Sequence, residues 1–205
     1  MSSKAGVFII ESLYFEQEEK NMFEGKILTE MLTLLDVNVQ YNYIRTKDEL
    51  KVMIERFENS NFKYLHLSCH GDSKGIDMTL DDNGVTFSEL SDMFNYEQKN
   101  QRLFLSSCSV MKGGNIVSEM LDTQFLSITG PLNNIGFADS AIFWASFYHL
   151  MFIENESKID NEYMKNTIEK LSSTFNVEMS TVIRKKGGNG YSQYSVRDNT
   201  LEKVN

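Results

Sequence analysis

Lys63-Tyr-Leu-His-Leu-Ser-Cys-His-Gly71 and Arg102-Leu-Phe-Leu-Ser-Ser-Cys-Ser-Val110 are two short apolar runs, each stopping at a reactive side chain, His70 in the first and Cys108 in the second. A strand that ends where a His or Cys begins is a good place for chemistry. In open α/β sheets the carboxyl ends of parallel strands share one edge, so two such strands side by side would bring His70 and Cys108 together. They would then stand as a base and its nucleophile.

Working outward, Val7 to Ile10 reads as a buried strand, and Phe23, Ile27, Leu28, Met31, Leu32 and Leu35 fall on one helix face. Residues 37–44 alternate apolar and polar as a half-buried strand does, and Thr46-x-x-Glu49 is a capping box opening a helix with Leu50, Met53, Ile54 and Phe57 inward. After the strand over 64–68, residues 78–85 read as a small hairpin turning at Asn83-Gly84, and Thr86-x-x-Glu89 caps a short helix. Then follow a strand over 103–106, a short helix over 115–121, a strand over 125–129 stopped at Gly130-Pro131, and a helix over 138–153. Tyr163, Met164, Thr167, Ile168 and Leu171 suggest one more helix, and Gly187-Gly-Asn-Gly190 a flexible loop before a last strand over 191–196. Strands alternating with helices, without repeats or linkers, predict a parallel sheet between two helix layers.

The 205 residues, 41% of them hydrophobic, suit a single α/β domain with one core. The longest apolar run, 141–153, is too short to span a bilayer and is interrupted by Ser146 and His149; the N-terminus lacks a basic region followed by an apolar one. No membrane association is expected. Two cysteines make no disulfide framework and fit a reducing, cytoplasmic setting. The net charge of −9, with no basic-aromatic stripe to offset it, argues against direct nucleic-acid binding.

A His-Gly after one hydrophobic strand and a Ser-x-Cys after the next resembles the caspase-like cysteine peptidases (the caspase, separase and gingipain superfamily), most closely their CHAT branch. The segment Ile128-Thr-Gly-Pro-Leu-Asn-Asn-Ile-Gly-Phe-Ala-Asp-Ser-Ala-Ile-Phe-Trp-Ala-Ser-Phe-Tyr-His-Leu150 is similar to the CHAT element in which a strand and a small-residue turn lead, through an acidic residue, into a helix ending Phe-Tyr-x-x-Leu. The match runs over roughly residues 5–153 in the right order. It implies a three-layer caspase-like fold with a mostly parallel central sheet flanked by helices, and one peptidase domain over residues 1–205. It also implies a regulated prokaryotic endopeptidase that makes limited cuts in a partner protein in stress, cell-death or phage-defence systems. The TPR array often found beside CHAT domains is absent from these residues, so a sensor or activator protein is expected to act in trans, unless the chain is a piece of something larger.

The chemistry implied needs no cofactor and no metal. A Cys108 thiolate would attack a peptide carbonyl, and His70 would protonate the leaving amine and then activate water against the thioester. By resemblance, the backbone N–H groups of Gly71 and Cys108 would hold the oxyanion, with glycine at 71 letting the backbone approach the substrate. Caspases bind an aspartate at P1 with help from a glutamine two residues before the nucleophile; Ser106 stands there, and Ser109 where they have Arg or Gln. Asp139 matches the acidic position ahead of the CHAT helix and, with Ser106, is the candidate for an S1 pocket selecting Lys or Arg; otherwise it is a helix cap.

Plainer readings compete at each position. A cysteine at a strand end is by default a small buried hydrophobe, and the pairing of Cys108 with His70-Gly71 is what raises it above that. Strand alternation turns Cys69 away from His70 toward the core; it puts His66 on the same face as His70, where a satisfied sheet histidine is the plainer reading. His149 is a surface or core residue of its helix, and Asp77, Asp81 and Asp82 are turn residues of the hairpin. A zinc site from His66, Cys69, His70 and Cys108 would need ligands from both strand faces, and neither Gly113-Gly114 nor Gly187-Gly-Asn-Gly190 has phosphate-loop spacing. Two other function classes remain: an inactive caspase-like scaffold, and a flavodoxin-like or TIR-like nucleotide domain, against which this chain has Glu11-Ser-Leu-Tyr-Phe15 in place of a glycine-rich turn after the first strand.

Overall fold

The apolar runs form the inner strands of a sheet in the computed structural model, which describes residues 5–95, 100–123, 125–154, 159–185, 190–198 and 200–204. The strands are β1 (Val7–Glu11), β2 (Val39–Tyr43), β3 (Tyr64–Ser68), β4 (Gly75–Ile76), β5 (Val85–Thr86), β6 (Arg102–Ser106), β7 (Ser127–Pro131), β8 (Met179–Arg184), β9 (Tyr191–Arg197) and β10 (Thr200–Val204). The helices are α1 (Phe15–Glu19), α2 (Glu24–Leu34), α3 (Lys47–Glu58), α4 (Phe87–Ser91), α5 (Asn115–Glu119), α6 (Phe137–Glu154) and α7 (Asn161–Phe175). Eight strands make the central sheet in the order β10-β9-β8-β7-β6-β3-β1-β2, and β4 pairs with β5 in a separate hairpin.

Every residue of β1, β3, β6 and β7 is buried, as expected of strands covered on both faces. Their side chains alternate between two cores. Phe8, Ile10, Leu65, Leu67, Leu103 and Leu105 pack with Ile54, Phe57, Leu90 and Ile116 of α3, α4 and α5. Val7, Ile9, Tyr64 and Phe104 pack on the other face with Leu28, Leu32, Trp144, Tyr148 and Ile168 of α2, α6 and α7. The result is an α/β three-layer architecture. The capping boxes at Thr46/Glu49 and Thr86/Glu89 are both formed and open α3 and α4.

Three features differ from the sequence reading. The pairings β2-β1, β1-β3, β3-β6 and β6-β7 are parallel, but β7-β8, β8-β9 and β9-β10 are antiparallel, so the C-terminal strands, two of them unanticipated, extend the sheet in the other sense. Strand β7 continues through Gly130-Pro131 because beyond Thr129 it pairs only with β8, at an end where a missing N–H is tolerated. The hairpin pairs Gly75–Ile76 with Val85–Thr86 and leaves 78–82 out. The Asp81 carboxylate accepts the Lys47 N–H in the first turn of α3 and Leu80 N–H donates to Arg45 O, which draws that segment across the helix start. Of the expected glycine-rich loop, residues 187–189 lie outside the described residues.

Candidate active site

Strands β3 and β6 are adjacent and parallel, in a register that sets Ser68 opposite Ser106. His70 and Cys108 each lie two residues past those paired positions, at the carboxyl ends of their strands, and both line one cleft with Glu24, Ser106, Ser107, Ile135, Phe137 and Ser140. The expected convergence of the two side chains on one sheet edge is therefore what the topology produces.

Two aromatic rings contact the His70 imidazole. Tyr14 stacks on it with ring centroids 4.0 Å apart and planes 4° from parallel, and Phe137 meets it edge-on at 5.5 Å. Its Nε2 is buried and has no hydrogen-bond partner among the described residues. Burial holds the imidazole below its ordinary range, opposed by the Asp77 carboxylate, so the ring is neutral at neutral pH and able to accept a proton. Cys108 is half-buried, and its S–H donates to Ile135 O at 3.6 Å. The chain turns sharply after it: Ser109 has φ 56°, its N–H donates to Asn133 O at 3.1 Å and its hydroxyl to Asn134 Oδ1 at 2.9 Å. Gly71 bridges to Ile76, and a Cβ there would fall 2.5 Å from Gly75 O and 2.6 Å from Ser107 Oγ, so only glycine fits.

The acidic residue of the cleft is Glu24, which sequence reasoning missed. It opens α2, is 3% exposed, and accepts the Ser106 hydroxyl at 2.8 Å. Its other oxygen meets His66 Nε2 at 3.3 Å, and His66 Nδ1 meets the Tyr148 hydroxyl at 3.0 Å. Ser106 also bonds the Ser140 hydroxyl at the start of α6. Behind Glu24, Glu11 at the end of β1 accepts Gly25 N–H at 2.8 Å and the Tyr41 hydroxyl at 2.7 Å. It thereby satisfies one of the orphan donors of α2, whose N-cap Phe23 supplies no side-chain bond. Burial pushes the Glu11 carboxyl up to about 7 against these bonds. The available signal for Glu24 was its place four residues before Leu28 and eight before Leu32, on the buried face of the helix.

Asp139 lies elsewhere. It is exposed on the first turn of α6 and lines a neighbouring polar depression of about 280 Å³, which shares Ile135 with the cleft, together with Asn133, Asn134, Asn176 and Glu178. Of the two residues expected in the S1 pocket, the cleft beside Cys108 thus contains Ser106 but not Asp139. The helix start explains this: α6 begins at Phe137, whose ring faces His70, and Asp139, two residues on, points along another side of the turn, toward Gly136. Cys69 also lines the cleft but packs against the α3–α5 core, and burial pushes its thiol up, which keeps it protonated. His149 is exposed on α6. Among the described residues no three His, Cys, Asp or Glu side chains are grouped to hold a metal ion. Nor, among them, is any helix long and apolar enough to cross a membrane.

No protein-family model matches the chain, and no curated protein matches it in sequence. Its fold is similar to that of a secreted C11 cysteine protease from Bacteroides thetaiotaomicron, with a TM-score of 0.61 and 8% identity over 89% of this chain and 67% of that one. It is also similar to a chain of the Saccharomyces cerevisiae separase–securin complex, with a TM-score of 0.51 and 14% identity over 82% of this chain and 11% of that one. At these identities the likeness is one of fold: an α/β sandwich with a mostly parallel central sheet flanked by helices.

Proposed function

We propose that the chain is a cysteine endopeptidase working through a Cys108–His70 dyad. The observation that carries this reading is the shared cleft of those two side chains at the carboxyl ends of adjacent parallel strands. In the reaction, the Cys108 proton passes to His70 and the thiolate adds to the peptide carbonyl carbon. The oxyanion so formed is held by the backbone N–H groups of Gly71 and Cys108. Collapse expels the amine with the proton from His70; water, giving a proton to His70, then cleaves the thioester and restores the thiol. The raised pKa of the Cys69 thiol supports Cys108 as the nucleophile.

The preference is for Lys or Arg at P1, with Glu24, not Asp139, as the acid of the S1 pocket. A nearly buried carboxylate lining the cleft beside Ser106 would pair with a guanidinium or ammonium, and a neutral P1 residue would leave it without that partner. The cleft holds only about 40 Å³ of free space, and a water on that measure needs about 10–15 Å³, so a long basic side chain must move its walls. That supports control by an activator in trans. The CHAT resemblance in His70-Gly71, Cys108 and the segment 128–150 adds the setting: limited cleavage of one partner protein in a cytoplasmic stress or defence system.

The test is a peptide-library digest by wild type, Cys108→Ala and His70→Ala, with a thiol-reactive peptide probe alongside. The reading expects cleavage after Lys or Arg by wild type, labelling at Cys108, and loss of about a thousandfold or more of turnover in both variants. Folded wild type that neither cleaves nor takes the probe, with or without activating lysate, would leave the inactive-scaffold reading in its place.

A further inference from the structure

We propose that Tyr14, anchored by Asp77, is a positioning residue that holds the His70 ring in its working plane. The proposal deepens the peptidase reading and rests on it.

The geometry joins the three residues in a closed loop. The Tyr14 ring covers one face of His70 at 4.0 Å, with the planes 4° from parallel. The Tyr14 hydroxyl donates to Asp77 Oδ2 at 2.6 Å, and Asp77 N–H donates to His70 O at 2.9 Å. Asp77 therefore grips the backbone of His70 with its amide and the ring above it with its carboxylate. Burial and the Asp77 charge push the Tyr14 phenol pKa up, so its O–H remains a donor across the working pH range. Gly84 makes room for the carboxylate: it has φ +60°, and a Cβ there would sit 2.9 Å from Asp77 Oδ1.

Core packing does not account for this arrangement, because Tyr14 is 41% exposed and belongs to neither buried cluster. What the ring does cover is the imidazole. Phe137 adds a T-shaped contact at 5.5 Å, and tipping the imidazole out of its plane would break the Tyr14 stack. Its buried Nε2 has no partner among the described residues, so no hydrogen bond from that nitrogen fixes the ring. The contacts that the ring does make are the Tyr14 stack and the Phe137 edge contact. A base that transfers two protons in sequence needs that alignment, and small misplacements cost turnover steeply. When His70 carries its proton, the π face of Tyr14 also stabilises the cation.

Tyr14→Phe, Tyr14→Ala and Asp77→Asn separate the parts, assayed on the peptide that wild type cuts fastest. Tyr14→Ala is expected to lower kcat about tenfold or more with KM within about threefold, Tyr14→Phe to restore most of it, and Asp77→Asn to fall between. In the NMR spectrum, the His70 Hε1 signal should lie upfield under the stacked ring, return toward the free-histidine position in Tyr14→Ala, and stay shifted in Tyr14→Phe. A Tyr14→Ala enzyme with kcat within twofold of wild type overturns the proposal, as does a loss that only follows the fraction folded. Equal loss in the Phe and Ala variants, which would assign the effect to the hydroxyl, overturns it too. Wild type that cuts no peptide defeats the peptidase reading instead. The stack is then judged by the Hε1 shift, whose insensitivity to Tyr14→Ala would defeat it as well.

Discussion

Glu24 and His66, 42 residues apart in sequence, meet at 3.3 Å beneath the cleft, each almost wholly withdrawn from solvent. A strand histidine that looks merely satisfied is thus the residue that orients the cleft's carboxylate. The Tyr148 hydroxyl holds its other nitrogen, so residues of α2, β3 and α6 share one buried polar chain.

Substituting Glu24→Gln should lower kcat/KM for peptides with Arg at P1 by about a hundredfold while changing those with apolar P1 much less, because a charge-assisted contact becomes a neutral one. Asp139→Asn should leave both within about twofold, since that carboxylate is exposed and lines a different depression. Steady-state kinetics on paired substrates checks this, and the reverse pattern would return the S1 role to Asp139.

His66→Ala should destabilise the fold by about 2–4 kcal/mol, because it leaves the Glu24 carboxylate and the Tyr148 hydroxyl buried with one partner fewer and opens a cavity beside Trp144. The exposed His149→Ala should stay within about 0.5 kcal/mol of wild type. Urea melts of both variants give the comparison. A His66→Ala protein as stable as wild type would mean that the polar chain contributes nothing.

Glu11 should make stability pH-dependent in a recognisable direction. Its folded pKa is raised from 4.5 to about 7 by burial, so the folded state binds the proton more tightly than the unfolded one. The stability it contributes is fully present below about pH 4.5 and is lost as pH rises through about 7. Glu11→Gln should therefore gain on wild type between pH 5 and pH 8 by on the order of 2 kcal/mol, a difference between variants that cancels the titration of His70 and other groups. Chemical denaturation at the two pH values measures it; parallel stability profiles would show that Glu11 does not titrate there.

Much of this molecule was legible before folding. The run 64–68 and its successor around 103–106 announce buried strands because each is a short apolar stretch ended by a reactive residue, and the capping boxes at Thr46 and Thr86 work through bonds spanning only three residues. Local signals of that kind depend on near neighbours, which one chain displays. The C-terminal strands were harder: β10 is mostly exposed and carries Glu202 and Lys203, so hydrophobic patterning has little to report, and the sheet turns antiparallel where β8 pairs with β7 across the intervening α6 and α7.

Taken alone, the sequence determined the layered α/β order and the likeness between the ends of β3 and β6 that brings His70 and Cys108 to one edge, because strand direction and side-chain alternation follow from spacing. Only the tertiary structure decided which acid enters the cleft. Glu24 and Asp139 are both carboxylates at helix starts, but α2 turns Glu24 inward onto His66 and Ser106, while α6 presents Phe137 to the cleft and leaves Asp139 in solvent. It also decided that Tyr14, beyond the end of β1, lies on His70, beyond the end of β3, with its hydroxyl bonded to the Asp77 carboxylate. The physical reason is the same in each case: spacing sets which face a residue takes, whereas the partner that meets it there depends on how separate elements pack.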